Sequence, residues 1–505
     1  MKAHLLFADH DFDPATPAST QTDDLVADLG LDTVLAAMAG RDRFLPDVCR
    51  RVLFASLTDP AQIRNRQAVL ADCIANPAVV RRMYAIAEEA IKRDRGEWLF
   101  GTDRPDSVLS RSIRVLGIFV GLLRQLRAIA KAGDGFESDG FRNLFASLRD
   151  ELGDAYLARV EGHLKHLEPE RGYLMSARLG DGNVGTGYVL RRPHRRKLVD
   201  QILGDRSGYE FSIDARDEGG TQALAELRGR GIALAATALG RSADHILAFF
   251  SALRFELGFY VGCLNLRDRL EAAGQPTCIP AAAGGGAELS ARGLFDPTLS
   301  LAGVSPVVGS DVELAGKALV VITGANRGGK STFLRALGVA QLMMQAGAFV
   351  AAESFRADVR TGVFTHYRRE EDATMTRGKL DEELARAGEM VSRVRPGALV
   401  LFNESFASTN EREGSEIARQ LVHALVDSGV KVAYVTHMFD LAHSLYEEAR
   451  PDAAFLRAER LDDGTRTFRL VPGEPLPTSH GLDVFRRVFD REVTAETTRS
   501  AAPSV

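Results

Sequence analysis

The chain of 505 residues has little cysteine and no long apolar run. Its four cysteines lie far apart, with no C-x-x-C pair and no H-E-x-x-H motif, which excludes the common zinc motifs and a disulfide framework. This usage favours buried thiols in a reducing compartment, and we expect a cytoplasmic protein. No stretch of eighteen apolar residues occurs, and the apolar run before Asp9 is too short for a signal peptide. We therefore expect no membrane span.

An excess of positive charge is also missing. The formal net charge is -5 and the sequence pI is near 6.2. The chain therefore has no global positive field for nucleic acid, and any such binding must depend on local patches. The length allows about two to four domains with large cores.

The most informative stretch runs from Leu319 to Thr332, where an apolar strand leads through a glycine-rich turn into a helix. Gly324, Gly328, Lys330 and Ser331 fit the spacing G-x-x-x-x-G-K-[ST]. In such a loop the turn amides hold phosphate oxygens, the lysine reaches the terminal phosphates and the hydroxyl ligates Mg²⁺. The alternative is a turn of purely structural use, but the flanking strand and helix favour a phosphate-binding loop.

A phosphate loop needs a metal ligand at the end of a neighbouring strand and a group that activates water. The apolar strand 398–402 is followed by Asn403 and Glu404, and the strand 431–435 is followed by His437. Because open α/β sheets bind ligands at the carboxyl ends of their strands, Glu404 is the predicted general base. Asn403 occupies the metal-side position without a charge, so we expect weaker Mg²⁺ binding and slower turnover. His437 is predicted to contact the terminal phosphate or the water, and a structural role is the alternative for each residue.

The composition and periodicity predict a multidomain α + α/β protein. Its parts are, in chain order, a leader (1–24), a helical core and lever (25–280), a unit with a mainly parallel sheet (288–490) and a mobile tail (491–505). A small β insertion is predicted near 172–216, with strands at 188–190 and 209–213. One long helix is predicted at 221–273, weakened by three glycines that can kink it, and a flexible linker at 281–287.

The strongest charge cluster lies in the predicted insertion. It consists of Arg191, Arg192, Arg195, Arg196 and Lys197. Two interpretations stay open, since such a cluster is either a solvated hairpin tip or a contact with the phosphate backbone of DNA.

Three segments together resemble the ATPase domain of the MutS family of DNA mismatch repair proteins: 323–332, 399–404 and 435–437. The form TGxNxGGKST of the first segment is more specific than a generic phosphate loop. Two further segments are similar to the family's helical core and to the helix that closes its ATPase domain, namely 57–67 with Asn76 and Pro77, and 479–484. The resemblance extends over roughly residues 25 to 490.

The resemblance implies a helical core and lever followed by an ABC-type ATPase domain. Two such domains pair across their nucleotides in a homodimer, and ATP hydrolysis with Mg²⁺ drives a clamp around DNA in repair or recombination. The residues that would bind the nucleotide are Gly324, Ala325, Asn326, Arg327, Gly328, Gly329, Lys330, Ser331 and Thr332. Ser331 and Asn403 would hold the metal, Glu404 would activate water, and His437 would sense phosphate. The arginine cluster would take the place of the DNA clamp.

The chain also departs from the family's pattern. It begins at the helical core, so we expect DNA binding without mismatch reading. Asn403 stands where the family carries Asp, and the Ser-Thr signature that reaches the partner's ATP is replaced at 376–383, where Lys379 is a substitute contact. The segment 405–409 replaces a glycine-bearing turn. These departures and the net acidity favour an alternative, a nucleotide-gated dimeric scaffold with little or no DNA binding.

Overall fold

The computed structural model describes residues 1–15, 22–98, 104–167, 173–191, 212–214, 216–284, 288–369, 378–461 and 465–477. These residues fall into two units. The first contains Met1–Leu5, Asp9–Asp11 and Asn76–Leu257, and the second contains Leu6–Ala8, Phe12–Ala75 and Gly258–Val505. The units group residues by proximity in space, and the predicted domain bounds stay a prediction.

Helices dominate the first half of the chain. They are α1 (Thr22–Leu29), α2 (Leu31–Ala39), α3 (Leu45–Phe54), α4 (Pro60–Ala75), α5 (Pro77–Trp98), α6 (Pro105–Lys131), α7 (Asp139–Glu151) and α8 (Asp154–Leu167). A hairpin and a long helix follow, namely β1 (Leu174–Leu179), β2 (Gly185–Arg191) and α9 (Glu218–Ala272).

Strands and helices alternate in the second half. In chain order they are β3 (Ala281–Ala283), β4 (Leu289–Leu294), α10 (Pro297–Leu301), β5 (Ser310–Glu313), β6 (Leu319–Gly324), α11 (Lys330–Gln345), β7 (Ser354–Asp358) and β8 (Val363–Tyr367). The remaining elements are α12 (Lys379–Arg393), β9 (Leu399–Asn403), α13 (Glu411–Asp427), β10 (Lys431–Val435), α14 (Phe439–Glu447), β11 (Ala453–Arg460) and β12 (Arg466–Pro472).

The first unit is built on the apolar faces of α6 and α9. Phe119, Leu123 and Leu126 recur at helical spacing on α6, and all three are buried. The ring of Phe119 lies 5.4 Å from that of Phe250 on α9, so the two helices bury these faces against each other. The predicted long helix is thereby confirmed, with its apolar residues in a core.

Gly231 is the glycine of α9 that lies against the hairpin. The helix continues unbroken from Glu218 to Ala272. A Cβ atom on Gly231 would meet the sulfur of Met175, so a larger residue there would require the Met175 side chain to move. The predicted kink stays a prediction.

One of the two strands predicted in the β insertion is confirmed. Strand β2 contains the predicted strand 188–190 and pairs antiparallel with β1. Ser212 and Ile213 of the predicted strand 209–213 are not in a strand, and 209–211 lie outside the described residues. The segment 479–484 and the predicted tail at 491–505 also lie outside them.

Helix α9 is the one described helix that is long and apolar enough to cross a membrane by length and composition. Its most apolar window is 67% buried within the protein. A core helix of a soluble protein passes the same test, so the window is weak evidence for a span.

The second unit contains a six-stranded, mainly parallel sheet with the order β12-β11-β6-β10-β9-β8. Strands β11, β6, β10, β9 and β8 run parallel, and only β12 at the edge is antiparallel. The interior strands β6, β9 and β10 are mostly apolar and buried on both faces, as is usual for parallel strands. This confirms the predicted parallel sheet, and it adds β8, which the sequence analysis missed.

A second, four-stranded sheet has the order β3-β7-β4-β5. Its first strand, Ala281–Ala283, pairs parallel with β7. The prediction of a flexible linker at 281–287 was therefore wrong for its first three residues. A run of small residues is typical of a linker when it is considered alone. The backbone groups of these residues pair with a strand more than seventy residues away, since Ala281 lies opposite Arg356.

Gln345 fastens the end of α11 to the segments around it. Its Nε2 donates to the carbonyl oxygens of Leu57 and Arg360 at 3.0 and 2.9 Å, and its Oε1 accepts from the Arg360 amide at 2.9 Å. The side chain is fully buried. Because each buried polar group has a partner, this network holds α11 in one position relative to β8 and to the helices before residue 75.

We predict that Lys431→Met raises the free energy of unfolding at pH 7. Lys431 is buried at the start of β10, where desolvation first and the charge of Arg360 second lower its pKa to about 7. An unfolded lysine has a pKa near 10.4. The cost of burying the charge is therefore fully present below pH 7 and disappears as the pH rises toward about 10.

The expected gain is about 2–4 kcal/mol at or below pH 7, shrinking toward alkaline pH. Urea unfolding of wild type and variant between about pH 6 and about pH 9.5 measures it. The exposed Lys165 provides the control, since Lys165→Met removes the same charge without relieving burial. A gain that does not change with pH would contradict the assignment.

Candidate functional site

The turn between β6 and α11 is shaped by glycines that contact β11. A Cβ on Gly324 would lie 2.9 Å from the backbone nitrogen of Ala458, and one on Gly328 would lie 2.7 Å from the Cβ of Ala458. Gly324 and Gly329 also have φ values of +108° and +93°, which L side chains rarely adopt. The turn therefore leaves its backbone amides at the N-terminus of α11, where the helix dipole favours an anion.

Lys330 carries a buried positive charge without a counter-ion among the described residues. Its Nζ donates to the carbonyl oxygens of Gly324 and Ala325 at 2.9 and 3.1 Å, and 4% of the residue is exposed. Burial has the largest effect and lowers the pKa of Lys330. The negative charge of Glu404 raises this pKa, and the positive charge of Arg466 lowers it. A phosphate oxygen in the turn would compensate this charge, so the lysine fits a phosphate ligand.

The first turn of α11 is joined to the end of β9 by a single hydrogen bond. The hydroxyl of Ser331 donates to Oδ1 of Asn403 at 2.8 Å. A hydroxyl and an amide oxygen are hard ligands of the kind that Mg²⁺ prefers, and Mg²⁺ sites commonly complete their shell with phosphate oxygens and waters. The pair therefore fits the predicted metal position, with an amide in place of a carboxylate.

Glu404 and His437 follow adjacent strands and meet at the same edge of the sheet. Oε2 of Glu404 lies 3.9 Å from Nδ1 of His437, and their side chains are 30% and 39% exposed. Glu404 has a φ of +53°, and its amide donates to the carbonyl oxygen of Val435 at 2.9 Å. Both side chains therefore lie at this edge of the sheet with access to solvent, which is compatible with the water-activating role predicted for Glu404.

The structure brings together the predicted loop, Asn403, Glu404 and His437. Asn326 and Arg327 are exposed on the outer side of the turn, and Thr332 is half-buried in the helix. Of the predicted arginine cluster, Arg191 is the one member among the described residues. Arg191 ends β2, where its Nε donates to the hydroxyl of Ser176 at 2.8 Å. The other four members, Arg192, Arg195, Arg196 and Lys197, lie outside the described residues.

Two residues of β12 lie at the loop and were missed by the sequence analysis. A Cβ on Gly329 would lie 3.0 Å from the carbonyl oxygen of Phe468, whose ring is 49% exposed and whose φ is +63°. The positive charge of Arg466 is near enough to Lys330 to lower the pKa of the lysine. No local pattern indicates these positions, because β12 reaches the loop only by returning antiparallel beside β11.

Comparisons with known proteins agree with this geometry. The family model for the MutS2 N-terminal domain matches residues 58–273, and that for MutS domain V matches residues 320–501. An "Endonuclease MutS2" of Anaeromyxobacter sp. (strain Fw109-5) is 30% identical over 349 residues, which cover 68% of this chain and 38% of the relative. The chain thus spans well under half of that relative.

Two further relatives match shorter parts of the chain. An "Endonuclease MutS2" of Brevibacillus brevis is 30% identical over 36% of this chain and 23% of its own length. A "DNA mismatch repair protein MutS" of Streptococcus equi subsp. equi is 30% identical over 33% of this chain and 20% of its own length.

We predict that Gly328→Ala destabilises the protein by about 1–3 kcal/mol, because the added Cβ meets Ala458 and the Ala325 carbonyl oxygen at 2.7 and 2.8 Å. Gly388→Ala is the matched control. That glycine lies inside α12 with nothing within 4 Å of an added Cβ, so the change should be neutral or stabilise by up to about 1 kcal/mol. Thermal unfolding compares the two, and equal midpoints would refute the close packing of the loop on β11.

Proposed function

Because this chain belongs to the MutS family, we propose that it binds and hydrolyses ATP at the loop between β6 and α11 and acts on DNA in repair or recombination. The observation that carries the proposal is the hydrogen bond from Ser331 to Asn403, which joins the loop to the predicted metal position at 2.8 Å. The buried charge of Lys330 and the pair of Glu404 and His437 lie around it.

Each residue has one task in the proposed reaction. Lys330 exchanges its two carbonyl partners for the terminal phosphates, and the turn amides hold the phosphate oxygens. Ser331 and Asn403 would hold Mg²⁺, which neutralises charge on the phosphates when bound. Glu404 accepts a hydrogen bond from the attacking water and orients it, and His437 stands beside Glu404 to contact the phosphate.

DNA is the proposed partner, and a homodimer through the ATPase domains is the proposed assembly. The family supports both, and the arginine cluster at 191–197 supplies the positive charge for phosphate contacts. The nuclease activity in the names of the MutS2 relatives is not included, since the matched part is well under half of each relative.

A nucleotide-gated dimeric scaffold with little DNA binding is the second candidate. The net charge of -5 favours it, since a nonspecific DNA binder gains from an overall positive field. The altered segment 376–383 in place of the family's signature also favours it, although 376 and 377 lie outside the described residues.

ATP turnover and DNA anisotropy together test the proposal. We expect the full chain to hydrolyse ATP and Lys330→Ala to lose both binding and turnover, because the buried ammonium is the main phosphate contact. We also expect binding to at least one of duplex, branched or single-stranded DNA at low salt. Neutralising the five cations at 191–197 should weaken that binding about tenfold or more.

The matched control neutralises five exposed cations elsewhere, namely Arg82, Lys92, Arg93, Arg95 and Lys165. This control should change DNA affinity far less, because salt screens the effect of charges that lie far from the DNA contact. An absence of affinity for every DNA at low salt would favour the scaffold. Unchanged ATP binding in Lys330→Ala would refute the site.

We also predict that Asn403→Asp raises ATP hydrolysis several-fold at low Mg²⁺, with the difference vanishing as Mg²⁺ saturates. A carboxylate binds Mg²⁺ more tightly than the neutral amide that now accepts from Ser331. Asn410→Asp is the control, because Asn410 caps α13 and Asp serves equally well as a helix cap. Equal or lower turnover of Asn403→Asp across a Mg²⁺ titration would contradict the metal assignment.

A further inference from the structure

His366 is a buried histidine of β8 that contacts two elements of the site region at once. Its Nδ1 lies 2.7 Å from the hydroxyl of Ser405, the residue after Glu404. Its Nε2 lies 3.1 Å from the backbone carbonyl oxygen of Glu383 on α12. The ring stacks on Phe406, with centroids 5.3 Å apart. One imidazole therefore joins the turn after β9 to the first part of α12.

The chemistry of the partners determines which ring nitrogen carries the proton. A carbonyl oxygen only accepts, so Nε2 donates to Glu383. Burial lowers the pKa of His366 to about 4, which leaves the ring neutral near pH 7. Nδ1 is then an acceptor, and it shares the one hydroxyl proton of Ser405 with the backbone carbonyl oxygen of His366, which lies 2.6 Å from that hydroxyl. Both ring nitrogens are thus used, each in a different role.

The turn that carries Glu404 needs such support. Glu404 and Phe406 have φ values of +53° and +63°, and non-glycine residues keep this strained conformation only when their surroundings hold it. Ser405 between them is held on both sides, since its hydroxyl donates to His366 and its carbonyl oxygen accepts from Tyr434 at 2.8 Å. The position of the Glu404 carboxylate therefore depends on contacts made by Ser405.

The hydrogen bond from His366 to α12 lies at a turn of the helix that carries a buried carboxylate, that of Glu383. Both carboxylate oxygens of Glu383 are buried and accept no hydrogen bond from any described residue. Burying a carboxylate without donors is unfavourable. The bond from Nε2 of His366 to the Glu383 carbonyl oxygen is a specific contact that keeps this turn of α12 in place.

We infer that His366 is a positioning residue for the proposed hydrolysis, which orients Glu404 through Ser405 and ties that orientation to the placement of α12. This inference rests on the proposed function of the site. It follows from the two ring contacts, the strained turn and the absence of any other side chain, among the described residues, that bonds to both Ser405 and α12. A shift of α12 would therefore be passed to the water-activating carboxylate.

Substitutions that retain one ring contact each can separate the two contacts. An Asn side chain places its amide near Nδ1, and a Gln side chain places its amide nitrogen near Nε2. His366→Gln therefore keeps the bond to Glu383 and loses the side-chain contact with Ser405, and His366→Asn does the reverse, while the bond from Ser405 to the backbone carbonyl oxygen of residue 366 stays in both. We expect His366→Gln to lower kcat for ATP about tenfold or more, and His366→Asn to stay within about threefold of wild type.

The KM for ATP should stay within about twofold in both variants, because the loop contacts of Lys330 and Ser331 are untouched. Ser405→Ala should lower kcat at least as much as His366→Gln, because it also removes the bond from the hydroxyl to the backbone carbonyl oxygen of His366, and the double variant should lose no more than Ser405→Ala alone. A merely structural role would lower the thermal midpoint and make the two losses multiply. Ser405→Ala decides the question alone if His366→Gln does not fold.

His443→Gln is the matched control, since His443 lies 46% exposed on α14 and away from the turn. Its kcat should equal that of wild type. Wild-type kcat in both His366→Gln and Ser405→Ala, or multiplying losses, would overturn the inference while the proposed function stands. If wild type and Lys330→Ala are equally inactive with ATP, the proposed function itself fails.

Discussion

The parallel register of β6, β10 and β9 is the constraint on which the site depends. Ile322, Val435 and Asn403 lie level with one another across these three strands. Because parallel strands all end at the same edge, the loop after β6, the Glu404 turn after β9 and His437 after β10 converge there. Residues as far apart in sequence as Ser331 and Asn403 can thus form one hydrogen bond.

The site combines this precise scaffold with unfavourable local features. A buried ammonium has only carbonyl partners, a carboxylate on α12 is buried without donors, and two residues of the Glu404 turn are strained. Such costs persist only where the surrounding packing outweighs them, and they cluster at functional sites. Here the packing is a continuous core of apolar strands and helices around β9 and β10. The stable sheet therefore carries these costs, and a phosphate ligand would compensate one of them, the buried ammonium of Lys330.

Sequence patterns predicted the interior of the sheet better than its margins. The apolar runs of β6, β9 and β10 are buried on both faces, so their local composition already specifies their environment. The four-stranded sheet and β8 were missed, since edge strands and short strands depend on their partners for definition. Ala281–Ala283 is the clearest case, because nothing in three alanines indicates the pairing with β7.

By itself the sequence determined the glycine-rich turn between strand and helix, the strand ends near it and the family, because the spacing of glycines, lysine and serine is a local property of the chain. Only the tertiary structure decided that Asn403 bonds to Ser331, that Phe468 lies against Gly329 and that His366 holds both Ser405 and α12. These contacts join segments distant in sequence. They depend on strand order and register, which arise from the packing of the whole unit and not from any one segment.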